Sequence, residues 1–121
     1  MNDSFRLIVA GGRLFNDYEL LKMSLDKLLA NKTNIIIISG VAKGADSLGE
    51  QYAKEKGYPI EQFPADWNTF GKSAGYKRNV QMSEVADALC AFWDGISTGT
   101  NHMINIMNSA NKPVRIIRYG K

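Results

Sequence analysis

Residues able to hold an anion recur in glycine-containing stretches of this chain. Gly11-Gly12-Arg13 sets two small residues beside a guanidinium that can fork onto a phosphate or a carboxylate. Ser39-Gly40-Val41-Ala42-Lys43-Gly44-Ala45-Asp46 offers backbone amides, a hydroxyl and Lys43 as a point charge. Gly95-Ile96-Ser97-Thr98-Gly99-Thr100 offers hydroxyls and amides just ahead of a helical pattern, a suitable cradle for phosphate. Each has a plainer reading. Arg13 alone is a surface arginine, Gly40 and Gly44 alone make a tight turn, and Asp46 alone caps a helix. The stretch at 39–46 has neither the G-K-[ST] ending of a P-loop nor the spacing of a dinucleotide fingerprint.

Other polar groups fall between these stretches. Ala74-Gly75-Tyr76-Lys77-Arg78-Asn79 carries two cations and an amide at the start of a helix. Trp67, after Asp66, is either an indole on which a base stacks or an anchor for its loop. Asp94 either bonds a ribose hydroxyl or orders its own loop. The carboxylates available for acid–base work are Asp46, Asp66 and Asp94, and no spacing demands that any of them act. Cys90 sits in the apolar run Ala88-Leu89-Cys90-Ala91-Phe92 with no histidine near it, so it reads as a small buried hydrophobe. The single His102 has no cysteine or carboxylate cluster around it, and no metal site is expected.

The elements that must position these residues follow from hydrophobic patterning. Ile35-Ile36-Ile37-Ile38 reads as a strand buried on both faces of a parallel sheet. Strands are also expected over 5–10, 60–63, 88–92 and 114–117. Helices are expected from Asn16, as cap, to about Ala30, over 46–56 with Gly57 as stop, over about 75–84, and along Met103, Ile106, Met107 and Ala110. Residues 64–73 read as a long polar-aromatic loop. The alternation of strand and helix predicts a single α/β domain, Rossmann-like and three-layered. Its mainly parallel sheet has about five strands, with helices on both faces. All the glycine loops then lie at the carboxyl edge of the sheet, where ligands bind in such folds.

Composition sets outer limits. The chain has 121 residues, 45% hydrophobic and 22% charged, with a net charge of +3, within the range of an ordinary globular domain. Its basic residues are scattered rather than clustered, which argues against a nucleic-acid footprint and is compatible with anionic small ligands. No stretch is long enough to span a membrane and no signal peptide is visible, so a cytoplasmic location is the default expectation.

Taken together, Gly11-Gly12-Arg13, the 39–46 stretch, Phe63-Pro64-Ala65-Asp66-Trp67, 74–79, Phe92-Trp93-Asp94-Gly95 and Ser97-Thr98-Gly99-Thr100 resemble the YspA-like family of the SLOG superfamily. That superfamily also includes the lysine-decarboxylase-like LOG proteins and DprA. The resemblance runs from Phe5 to about Ile117. It implies a Rossmann-like fold that binds a nucleotide or nucleotide-derived ligand, with no separate cofactor. It also implies a homodimer or higher homo-oligomer. In LOG enzymes an arginine and a glutamate serve the release of base from nucleoside monophosphates. Arg78 resembles that arginine and Gly99-Thr100 the glycine–threonine pair, but Met103 stands at the position of the glutamate. A thioether takes no proton, so LOG-type hydrolysis is disfavoured. A sensor or sequestering protein is the expected role, with an N-glycosidase or phosphoribohydrolase, or a nucleic-acid-associated accessory protein, as alternatives.

Overall fold

A computed structural model describes residues 4–120. Five strands form one all-parallel sheet: β1 (Phe5–Gly11), β2 (Ile35–Ser39), β3 (Ile60–Gln62), β4 (Ala88–Trp93) and β5 (Val114–Arg118). The longer helices between them are α1 (Tyr18–Leu29), α2 (Ala45–Lys56), α4 (Ala74–Val85) and α5 (Thr98–Ser109). A short helix, α3 (Trp67–Phe70), precedes α4.

Period-two alternation along the strands sorts the core into two layers. Leu7, Val9, Ile35, Ile37, Cys90 and Phe92 face α1 and α2, where they meet Leu21, Leu25, Leu29, Tyr52 and Ala53. Ile8, Ile38, Leu89 and Ala91 face α4 and α5, where they meet Met82, Met103, Ile104 and Met107. The isoleucine run is therefore apolar throughout because both of its faces are covered. Cys90 is fully buried, and burial pushes its thiol up to about 12. Among the described residues, no helix is long and apolar enough to cross a membrane.

Strand order is β3-β2-β1-β4-β5. The chain winds outward from β1 through β2 to β3, then crosses back to β4 on the other side of β1. The direction reverses between β1 and β4, and a crevice must open beyond their carboxyl ends. Gly11-Gly12-Arg13 leaves β1 there, and the loop from Asp94 to Ser97 leaves β4 there.

Local chemistry shifts several boundaries. Asp17, not Asn16, caps α1: its Oδ1 accepts the Leu20 amide at 3.1 Å. Residues 64–73 are not simply loop. Asp66 accepts the Thr69 amide at 3.1 Å, which starts α3, and a 3-10 turn at Gly71–Ser73 leads into α4. On α5 the buried stripe is Thr100, Met103, Ile104 and Met107, while Ala110 is exposed at the helix end.

Candidate functional site

Two clefts open along the carboxyl edge of the sheet. The first, about 510 Å³, lies over the β1–β4 reversal. The β1 loop, α4 and the start of α5 wall it, with Trp67 and Lys72 at its mouth and Met82 and Met103 on its floor. The second, about 390 Å³, lies over β2 between residues 40–43 and 64–67.

The glycines divide by role. Gly44 sits in the left-handed region at φ +78, and a Cβ there would meet the Arg13 backbone at 2.6 Å. This is a packing requirement, since the β2 loop lies against the β1 loop and Ala45 donates to the Gly12 carbonyl at 3.2 Å. Gly11 likewise has no room for a Cβ, with Ala45 at 2.9 Å. Gly99 is different: it lines the first cleft and a Cβ there would meet nothing within 4 Å. At α5 the first intrahelical bond runs from the Asn101 amide to the Ser97 carbonyl, and Ser97 makes no side-chain cap. The amides of Thr98, Gly99 and Thr100 thus have no intrahelical acceptor, and the helix dipole adds to their attraction for an anion.

Arg78 crosses the site from α4. Its Nη1 donates to the Gly40 carbonyl and its Nε donates to Asn79 Oδ1 at 3.0 Å. Asn79 is itself buried. Its Nδ2 reaches the Gly99 carbonyl at 3.3 Å and lies 3.2 Å from His102 Nδ1, which ties α4 to the start of α5. Burial and the neighbouring charge of Arg13 work against the Arg78 cation, while Asp46 favours it. Among the described residues, neither Arg13 nor Arg78 forms an ion pair within 4 Å.

The three carboxylates have three different settings. Asp66 is exposed and spent on starting α3. Asp94 accepts the Ile96 and Ser97 amides, each at 2.8 Å, and the Ser97 hydroxyl at 3.2 Å; these bonds hold its carboxyl below the usual range. Its oxygens order the β4 loop. Asp46 is buried at 5% exposure in the first turn of α2, and its Oδ2 accepts the Ala42 amide at 3.2 Å. It does not occupy the cap position, which is Gly44. Burial pushes its carboxyl up to about 6, against the pull of the Ala42 amide and of Arg78.

The first cleft thus gathers Gly11, Gly12, Arg13, Asp46, Trp67, Arg78, Asn79, Asp94, Ser97, Thr98, Gly99 and Thr100. Gly40 and Lys43 line the second cleft instead. Ser39 is buried behind the loop, its hydroxyl accepting the Val41 amide at 3.1 Å, and Gly44 serves packing. Lys77 points elsewhere, with its ammonium 5.0 Å from the Phe70 ring centre. Sequence reasoning missed Tyr119, which lines the first cleft and packs edge-on against Phe15 at 4.8 Å. It follows the last strand, and no motif marks it. Lys72 was also missed, because only the turn that follows α3 carries it to the mouth.

The family model for the YspA, cpYpsA-related SLOG family matches residues 5–70, more than half of the chain. The chain belongs to that family. This SLOG domain is 32% identical to the gene 61 protein of Mycobacterium phage D29, over 90% of this chain and 93% of the phage protein. Its fold matches that of DNA processing protein A (DprA) from Streptococcus pneumoniae, with a TM-score of 0.74, 15% identity and 97% of this chain covered. The match spans about half of that protein, 51% of its chain. A second solved structure, TM1055, matches with a TM-score of 0.68 and 19% identity, over 91% of this chain and 72% of the other. At these identities the two structures speak for the fold, a Rossmann-like α/β domain.

Proposed function

We propose that this SLOG domain binds a nucleotide or nucleotide-derived ligand in the first cleft, as a sensor or sequestering protein. The observation that carries this reading is the opposition of two cations, neither in an ion pair within 4 Å among the described residues, to helix-start amides with no intrahelical acceptor. Arg13 and Arg78 line the same cleft as the uncapped start of α5. A phosphate there satisfies both charges and the amides together. Trp67, half exposed at the mouth, offers a ring face for a base.

The enzymatic alternative has less support. Asp66 and Asp94 are committed to backbone amides of their own loops. Met103, at the position where LOG enzymes resemble this chain but carry glutamate, is 1% exposed and packed in the core. Asp46 is the remaining carboxylate, and its bonded oxygen orders residues 40–46.

A thermal-shift series tests the proposal. A ligand at one hundred times its dissociation constant stabilises by about 2.7 kcal/mol. For a domain of this size that is roughly a 10 °C rise in melting temperature. At least one nucleoside phosphate should produce it, and Arg13→Ala should abolish it. Arg13 is exposed and makes no ion pair among the described residues, so the variant should melt at the wild-type temperature without ligand. No shift with any mono-, di- or cyclic nucleotide at millimolar concentration would overturn the reading.

The domain is also proposed to act as a homodimer, by analogy with its superfamily. Light scattering at tens of micromolar should return twice the monomer mass; the monomer mass would refute it.

A further inference from the structure

The two clefts abut, and the residues they share include two cations and an indole. Arg13, Ala42, Trp67 and Arg78 line both. The charge of Arg13 works against the Arg78 cation there and Asp46 favours it, with no carboxylate within 4 Å of either arginine among the described residues. Like charges held together across a shared wall favour an anion at that wall more than at either far end. The first cleft continues from it toward the start of α5. The second continues toward Lys43, Pro64 and Ala65.

The second cleft has a wall held against its own backbone preference. Val41 takes φ +63, a conformation that a β-branched residue rarely adopts. Ser39 Oγ holds the Val41 amide at 3.1 Å, and Ser47 Oγ donates to the Ala42 carbonyl at 3.0 Å. Strain of this kind persists only where surrounding bonds enforce it, and it recurs at ligand clamps. A mononucleotide seated wholly in the first cleft leaves both this strained wall and Lys43 without a role.

We propose that the ligand is two-armed, with an internal phosphate or diphosphate between Arg13 and Arg78 and one arm in each cleft. This rests on the nucleotide reading above and narrows it. The shared chemistry is a phosphate ester flanked on both sides by sugar-bearing groups. Linear dinucleotides, cyclic dinucleotides and nucleoside-diphosphate sugars all have it. A nucleoside monophosphate has one arm and fills one cleft.

Titration calorimetry on the full chain tests this with adenosine and guanosine monophosphates, the matching dinucleoside diphosphates, cyclic dinucleotides and nucleoside-diphosphate sugars. At least one two-armed compound should bind about tenfold or more tightly than its monophosphate, and comparison of the linear and cyclic members identifies the arm geometry. Ala65→Trp, which fills only the second cleft, should remove that margin and leave monophosphate affinity within about twofold. Lys43→Glu serves as a second variant, since Lys43 is exposed and lines only the second cleft. Equal affinity for one- and two-armed compounds, or a margin that survives both variants, overturns the two-armed ligand while nucleotide binding stands. Binding of none of the compounds overturns both.

Discussion

Met103→Glu should destabilise the domain by at least about 3 kcal/mol, enough to lower its melting temperature by 10 °C or more. Met103 is 1% exposed and packs with Ile8, Met82, Leu89 and Met107 between α5 and the sheet. An ionised carboxylate there would lose its water and gain no cationic partner from those neighbours. The variant tests whether a hydrolase of the LOG type is one substitution away. It is not, because the neighbours of this side chain are apolar as well. Chemical denaturation of both proteins supplies the measurement. Met103→Leu should stay within about 1.5 kcal/mol of wild type, since it conserves volume and polarity. A Met103→Glu protein as stable as wild type would mean that the new carboxylate on the cleft floor reaches water or Arg78, and would revive the enzymatic reading.

Asp46→Asn should stabilise the domain at neutral pH by up to about 3 kcal/mol, with an effect that vanishes in acid. Burial raises the Asp46 carboxyl to about 6, from 3.8. Between those values the native state keeps a proton that the unfolded chain releases. The contribution of Asp46 is therefore most favourable below about pH 4, declines through the window and is least favourable above about pH 6. Asparagine stays neutral throughout and can still accept the Ala42 amide. The facing charges are Arg78 from α4, which favours ionisation, and Glu50 from α2 itself, which opposes it. Denaturation profiles from pH 3 to pH 8 should coincide below about pH 4 and separate progressively up to about pH 6. Superimposed profiles would contradict the assignment. A buried charge kept at a cost to stability is consistent with tuning of Arg78, so the variant should also hold anions more tightly.

Which parts of this were legible in the sequence follows from how local each cause is. Four consecutive isoleucines need two covered faces, and Ile35–Ile38 has them. Loops after β1, β2 and β4 had to share one edge once the strands were parallel, and they do. What was not legible depended on which backbone amide a side chain would choose. Asp17 and Asn16 are equally good caps by type, and only the chain path selects Asp17. Asp66 and Asp94 read as pocket carboxylates, yet each turns back on its own loop. Gly44 looked like part of a phosphate cradle, but the contact that requires glycine is with the Arg13 backbone, thirty-odd residues away in sequence. Gly40 and Lys43 belong to a second cleft because α3 and its approach fold over β2, and a short helix started by one aspartate leaves little periodic signal.

The most direct measurement of the central claim is the phosphorus resonance of the ligand itself. A nucleoside phosphate that raises the melting temperature is titrated with the protein and followed by phosphorus NMR. The account predicts a shift or broadening that saturates with wild-type protein and is lost with Arg13→Ala, while circular dichroism shows the variant folded. A phosphorus signal that moves equally with both proteins, or with neither at millimolar concentration, would contradict it.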